Sequence, residues 1–490
     1  MAHAQGNNED FCKDFMTLNP QETGFLDLLR LLYCENLKER SFVSCSEENR
    51  LVDFERRWII FISILVQKVL FSGRKVLACI GCLVDTWLNL LSLNGGFFQL
   101  LFKSLVGRVE LPNRYSPSYS SLIGNWDPRR DLDEKIKPED PRYISQLCIM
   151  AAKIAYENEA YIENTVKQHW KMAYLGYYKF YNAYMDDYKT RAFICHDQST
   201  NPGLIILSFK GTSPFNALEW ITNFDISWYK FEDIGKVHVG FMKALGLQKL
   251  NGWPKDISKD TPPYAYYTLR EKLKQILKEF KDAKFVITGH SLGAALAILF
   301  VAVLMFHEEE ELLERLEGVY AFGQPRVGDR EFGGFMSRKM EEYEVRYCRY
   351  VYCNDLVPRL PIDDKALMFK HFGPCLYFNS CYKEKVMRDE PDKNYFSLWW
   401  YIPKVFNAWW ELIRGFILPW RFGPEYKENW VMKLVRLFGL LLPGVPNHIP
   451  RDYVNSMRLG TRDGSLLCYD CFGLASQLET LSNHVGTESS

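Results

Sequence analysis

Residues 289–293 read Gly-His-Ser-Leu-Gly, a serine set between two glycines in the pattern G-x-S-x-G. A serine hydroxyl becomes a nucleophile when a base takes its proton and donors receive the oxyanion that its attack creates. The glycines have a steric reason. In a tight strand-to-helix turn, a Cβ at either position would crowd the neighbouring strand and helix. Such a turn holds Ser291 in a strained conformation, clear of a sheet and at the positive end of a helix. The same five residues also fit an ordinary glycine-rich turn with a capping serine, so the flanks decide. Residues 284–288, KFVIT, form a β-branched run that reads as a buried strand, and 292–305 is alanine- and leucine-rich and reads as a helix.

A nucleophilic serine on a strand-turn-helix unit needs an acid and then a histidine later in the chain. Asp355 directly follows an expected strand at 347–352 and precedes Pro358. Asp329 opens a helix and reads as a cap, with Asp363 and Asp364 as further candidates. Three histidines follow Asp355. His484 lies in a polar tail, and His371 flanks an apolar strand. His448 sits between Pro446 and Pro450, where a restrained loop can aim an imidazole. Spacing favours His448 over His371 without excluding either. His290 is expected to point away and pack structurally. Two N–H donors are expected for the oxyanion, from Leu292 and from Thr212 in the loop KGTSP that follows a strand at 204–210.

The elements that must carry these residues alternate. Strands are expected at 204–210, 284–288, 318–322 and 347–352, with helical stretches between them such as 267–283. This predicts an α/β fold with a mostly parallel sheet and helices on both faces, over 141–394 and again over 444–475. A polar, proline-rich stretch at 112–140 reads as a linker, and 476–490 as a polar tail.

Lysine plus arginine and aspartate plus glutamate number 60 each, a zero formal charge that argues against a nucleic-acid partner. Thirteen cysteines cannot all pair, and the polar start MAHAQGNNED resembles no secretory leader. Together these predict a reduced, cytosol-facing protein. Cys79/Cys82 and Cys468/Cys471 lie in contexts unsuited to zinc, so neither metal nor cofactor is expected.

Within residues 1–111, two apolar runs, 58–71 and 76–102, are flanked by Arg56, Arg57, Arg74, Lys75, Lys103 and Arg108. The second could span a bilayer by length. Asp85, Asn89, Asn94 and Gly95-Gly96 favour an interfacial or hairpin anchor, with a true span or a buried helical subdomain as alternatives. Residues 395–443 are tryptophan-rich: six of the thirteen tryptophans fall between 399 and 430. Ile402, Phe406, Trp409, Ile413, Phe416 and Trp420 recur at helical spacing, with Lys404, Glu411 and Arg414 scattered among them. A buried helical insertion and a lipid-interface segment both fit.

The segments FKGTSP, VHVGF, VITGHSLGAALA, FGQPRVGD, YVYCNDLVPRLP and HIPRDYV, in this order, resemble the fungal-type (class 3) lipases, over about 200–375 and 446–460. The resemblance implies an α/β-hydrolase that cleaves carboxylic esters. Ser291 would be the nucleophile, Asp355 the acid, His448 rather than His371 the base, and Thr212 and Leu292 the oxyanion donors. It also implies a lid at 214–228, whose Phe215, Leu218, Trp220, Ile221 and Phe224 would cover the site in water and open on lipid. FKHFGPCLYFNSCY and NHIPRDYVNSMRLG extend the similarity to the plant oil-body triacylglycerol lipases. That likeness implies triacylglycerol hydrolysis at a lipid-droplet surface, with lipid as the partner. The rivals are a phospholipase A1 or galactolipase with the same residues, and a non-catalytic droplet scaffold.

Overall fold

The four expected strands lie side by side in the computed structural model, which describes residues 12–461 except 13, 34, 38–39, 47–52, 248–252, 259–260, 363–368 and 396. Asp363, Asp364, His484, the Cys468/Cys471 pair and the segment 462–490 lie outside the described residues. The strands are β1 (Phe15–Leu18), β2 (Val43–Cys45), β3 (Ala173–Asn182), β4 (Asp187–Asp197), β5 (Leu204–Phe209) and β6 (Trp228–Phe231). They continue with β7 (Gly235–His238), β8 (Lys284–His290), β9 (Leu316–Phe322), β10 (Arg346–Tyr352), β11 (Cys375–Phe378) and β12 (Glu384–Met387).

The main sheet has the order β12-β11-β10-β9-β8-β5-β4-β3. Its centre, β5 to β11, is parallel, and both edges turn antiparallel. The central strands are buried along almost their whole length because helices cover both of their faces. On one face lies the helix Leu292–Phe306, buried at every residue but Phe306, with Ala265–Glu279 beside it. On the other lie Tyr143–Ile154 and Pro450–Leu459. The apolar strand expected beside His371 is β11, whereas the edge strands β3, β4 and β12 were not expected. β3 is half-exposed along most of its length and lacks the apolar run that marks a central strand.

The first apolar run and the second as far as Leu93 form one helix, Phe54–Leu93; Gly95 and Gly96, at φ +82° and +99°, break the chain there, and residues 97–102 fall in a separate helix, Phe97–Leu105. At 1.5 Å per residue the longer helix spans about 60 Å. This helix runs through Gly73-Arg74-Lys75, the residues that separate the two apolar runs, and Arg74 is accommodated on the helix itself. Its Nη1 donates to the Phe71 carbonyl at 2.7 Å, and its guanidinium lies 3.7 Å from the centre of the Phe71 ring. Ile60 and Ile64 pack with Ile226 and Trp228, while Val69, Val76 and Leu83 face outward. This is the one described helix long and apolar enough to cross a membrane by length and composition. A second sheet, β2-β1-β6-β7, ties the N-terminal region to the segment that follows the helix Ala217–Phe224.

The stretch 112–140 carries little regular structure yet is fastened to the core. Asp127 is buried between Arg129 at 2.7 Å, Lys153 at 3.4 Å and Arg451 at 3.5 Å. The tryptophan-rich segment forms the helices Tyr401–Phe422 and Trp430–Gly439, and its charges are not scattered. Lys404, Glu411 and Arg414 all point inward and are buried, whereas Phe406, Trp409, Phe416 and Trp420 are exposed. The inward face is an ionic lattice. Arg436 reaches Glu411 at 3.2 Å, Glu428 at 3.0 Å and Asp452 at 2.8 Å, and Arg414 reaches Asp452 at 3.0 Å.

Candidate active site

Ser291 joins β8 to the helix Leu292–Phe306 with φ +61° and ψ −130°, a region that side-chain-bearing residues rarely adopt. The flanking glycines are required by close approach. A Cβ on Gly289 would lie 2.2 Å from the Gly293 carbonyl carbon, and one on Gly293 would lie 2.4 Å from the Phe209 oxygen. The serine hydroxyl is buried and has no hydrogen-bond partner among the described residues.

Asp355 follows β10, as expected, and is fully buried. Its carboxylate accepts from Val357 N–H at 2.9 Å, from the Tyr453 hydroxyl at 2.5 Å and from His448 Nδ1 at 2.9 Å. Burial and the neighbouring Asp355 charge push the Tyr453 phenol well above its ordinary pKa, so it stays a donor. His448 ends a short turn, Pro446–His448, and the helix Pro450–Leu459 follows it. With Nδ1–H committed to Asp355, Nε2 is the free base nitrogen; it too is buried without a partner. The end of β9 brings the two strand-end residues together. Ser291 N–H donates to the Phe322 carbonyl at 2.9 Å. A Cβ on the next residue, Gly323, would sit 3.0 Å from Asp355 Oδ2 and 3.1 Å from His448 Cε1.

His290 does not point away from this cluster. Its ring centre lies 4.5 Å from that of His448, and its Nδ1 is 2.8 Å from the Tyr156 hydroxyl. Burial, with the nearby His448 acting in the same sense, holds its pKa well below the ordinary imidazole value. It is a neutral ring packed against the His448 ring. The sequence argument also missed Tyr156 and Tyr453, because nothing in their spacing marks where a phenol points. His371 is placed elsewhere: its Nε2 donates to the Pro358 carbonyl at 2.7 Å, and burial and Arg349 keep it neutral. Asp329 caps the helix Arg330–Glu342 by accepting from Phe332 N–H at 2.9 Å.

Thr212 lies in the loop after β5. A Cβ on Gly211 would be 2.3 Å from the His290 carbonyl oxygen, so this loop runs hard against the serine turn. Leu292 is the first residue of its helix, where backbone N–H groups have no partner within the helix. The helix Ala217–Phe224 follows Thr212 and is fixed to it. Asn223 Nδ2 donates to Thr212 Oγ1 at 3.0 Å, and Glu219 accepts from Ser213 N–H at 2.5 Å while pairing with Lys210 at 3.5 Å. Phe215, Leu218, Trp220 and Phe224 are half-buried and Ile221 is buried. Their cover includes the long N-terminal helix. Ser63 Oγ donates to the Phe224 carbonyl at 2.7 Å, and Gly81 lies so close to Phe215 that a Cβ there would be 2.6 Å from it. Among the described residues no cluster of histidine, cysteine and carboxylate side chains is placed to hold a metal.

A strained serine at the end of a parallel strand, beside an acid at the end of a later strand, defines an α/β-hydrolase. The family model for Lipase (class 3) matches residues 206–365. The triacylglycerol lipase OBL1 of Nicotiana tabacum is 42% identical over 479 residues, covering 83% of this chain and 84% of its own length. Its counterpart in Arabidopsis thaliana is 39% identical over 503 residues, 93% and 96% of the two chains. The structure of lipase II from Rhizopus niveus aligns with a TM-score of 0.37 at 21% identity, covering 48% of this chain and 80% of that one. The chain belongs to the class 3 lipase family. It is an enzyme that hydrolyses carboxylic esters of lipids.

Proposed function

We propose that the substrate is triacylglycerol and that Ser291 is the nucleophile. Ser291 Oγ attacks the ester carbonyl as His448 Nε2 takes its proton. Asp355 holds the imidazolium that forms, and the N–H groups of Leu292 and Thr212 receive the oxyanion. The tetrahedral intermediate collapses to an acyl-serine as His448 protonates the departing diacylglycerol alkoxide. Water, deprotonated by the same nitrogen, then releases the fatty acid and restores Ser291. The observation that carries this reading is the meeting, at the end of β9, of the strained Ser291 turn and the Asp355–His448 pair, with Ser291 Oγ and His448 Nε2 both buried and unpartnered among the described residues. A buried orphan donor or acceptor costs about 1–3 kcal/mol, a cost that an active site has reason to bear.

The site of action in this proposal is the cytosolic surface of a lipid droplet. The exposed tryptophan face and the outward apolar side of the N-terminal helix support it. Residues 214–228 act as a lid whose apolar side chains are taken up by lipid when it opens. A dead scaffold would have no use for strain at Ser291 or for three donors converging on Asp355. The test is hydrolysis of emulsified long-chain triacylglycerol beside a phospholipid and a galactolipid. Triacylglycerol should be hydrolysed fastest; faster release from either polar lipid would transfer the same chemistry to that substrate.

A further inference from the structure

A cavity lies outside the cluster around Ser291. It is about 520 Å³ in volume and runs between the long helix, the start of the lid, β4 and the residues after Ser120. None of Ser291, Thr212, Leu292 and His448 lines it. Five of its lining side chains are cationic and one, Asp85, is a carboxylate. Lys189 is paired with Asp187, and Lys210 with Glu219. Arg74, Lys75 and Arg191 form no ion pair among the described residues, and Arg191 Nε is buried without a partner. Asp85 does not neutralise the arginine and lysine of its own helix. Eleven residues separate it from Arg74, about 16 Å along the axis. Three cations around one half-enclosed space repel one another and attract an anion.

The rest of the wall is apolar. Ala78, Pro214, Phe215 and Leu218 line it beside the cations. On the same helix Val76 and Ile80 are exposed, so the cavity adjoins the surface that the protein offers to lipid. A cationic cleft with an apolar wall beside a lipid-facing surface matches one ligand chemistry, an anionic head on an acyl chain.

We propose that this cavity binds the carboxylate or phosphate head of an anionic amphiphile through Arg74, Lys75 and Arg191, with its acyl chain along Phe215 and Leu218. Such a ligand touches the long helix and the lid at once. It therefore favours the arrangement in which the two are docked. A free fatty acid, the product of ester hydrolysis, would then hold the lid in place and slow further turnover. That consequence rests on the proposed function, whereas binding itself does not.

Binding should be measured on the full chain carrying Ser291→Ala, with oleate, methyl oleate, inorganic phosphate, and phosphatidylcholine vesicles with and without phosphatidate. Oleate should bind and methyl oleate should not. Arg191→Gln should weaken binding by roughly tenfold, as loss of one charge-assisted bond implies, and Lys75→Gln, on the exposed helix surface, by less. Thermal unfolding of each variant separates a lost site from a lost fold. Oleate binding without added affinity for phosphatidate vesicles assigns the carboxylate; the reverse assigns the phospholipid head; both support the shared chemistry. Equal binding of oleate and methyl oleate, or binding unchanged in both variants, overturns the proposal. In the wild-type enzyme, added oleate should slow hydrolysis more than it does in Arg191→Gln, each relative to its own uninhibited rate.

Discussion

The helices Leu292–Phe306 and Tyr401–Phe422 are both dominated by apolar residues, yet they face opposite surroundings. The first has no ionisable side chain and is buried at every residue but Phe306. The second turns Lys404, Glu411 and Arg414 to the protein and its aromatics to the outside, with Trp420 93% exposed. Apolar content fails to tell them apart; the direction of the charges does. A helix without charge has only the core to go to. A helix whose charges meet partners inside can leave its tryptophans at a surface, where a ring that is apolar along its body and polar at N–H suits a lipid boundary.

The largest expected effect lies at the first helix. Ser291→Ala should lower turnover by about four orders of magnitude or more while thermal unfolding stays unchanged. His448→Ala should match it, and His371→Ala should retain most activity if the protein folds. The reverse ranking of the two histidines in a triacylglycerol assay would dismantle the proposed site.

Stability should divide the helices by mechanism. Leu299→Ala, in the enclosed helix, should cost about 2–5 kcal/mol through a cavity. Arg436→Met, beneath the outer helices, should cost about 3–5 kcal/mol, because it leaves Glu411, Glu428 and Asp452 buried and short of a cation. Denaturant unfolding measures both. A near-neutral Arg436→Met would mean that the lattice does not hold the tryptophan face in place.

Acid should act on the outer helices through Asp452. Burial pushes the Asp452 carboxyl up, but Arg436 and Arg414 more than reverse that and hold it below its ordinary value of 3.8. A carboxylate with a depressed folded pKa stabilises fully above the unfolded value and loses that contribution as pH falls through the folded one. Burial outweighs the same arginines at Glu411, whose pKa is raised, so its contribution runs the other way. Asp452 is met by two arginines and the Tyr382 hydroxyl at 2.8 Å, and its loss should dominate below about pH 4. In an acid titration, tryptophan emission should shift before the helical circular dichroism collapses. Coincident transitions would count against a separately released outer layer.

The smallest effect on stability, and the sharpest on location, belongs to Trp409→Ser with Trp420→Ser. Unfolding free energy should move by no more than about 0.5 kcal/mol per site. Flotation with an oil emulsion should fall several-fold. Unchanged flotation would pass the anchoring role to the N-terminal helix alone.

The serine turn could be read from sequence because its causes are local: a β-branched run, two glycines that admit no Cβ, and an alanine-rich helix. Asp355 was legible for the same reason, as a polar residue just past a strand. The choice of His448 over His371 needed a family resemblance, because a histidine's partner lies far away in the chain; the fold supplies it through the Asp355 contact. His290 was misread because a turn predicts where a side chain starts and not which ring it meets. That the helix continues through Arg74 and Lys75 could not be read from the two apolar runs, because the Phe71 contacts that accommodate Arg74 are made only once the helix has formed. The inward direction of Lys404, Glu411 and Arg414 was invisible because their partners, Asp392, Asp452 and Arg436, lie on other elements.

Asp452 and Tyr453 are consecutive, and their side chains serve different neighbourhoods. Asp452 is gripped by Arg414 and Arg436 of the tryptophan-rich helices, and Tyr453 donates to Asp355. One peptide unit thus couples the outer layer to the acid of the proposed triad. The insertion is for that reason no detachable accessory. A shortened enzyme lacking 395–443 would leave Asp452 without its arginines one residue from the Tyr453–Asp355 bond, and a chimera that borrows the tryptophan layer would have to borrow the helix Pro450–Leu459 with it.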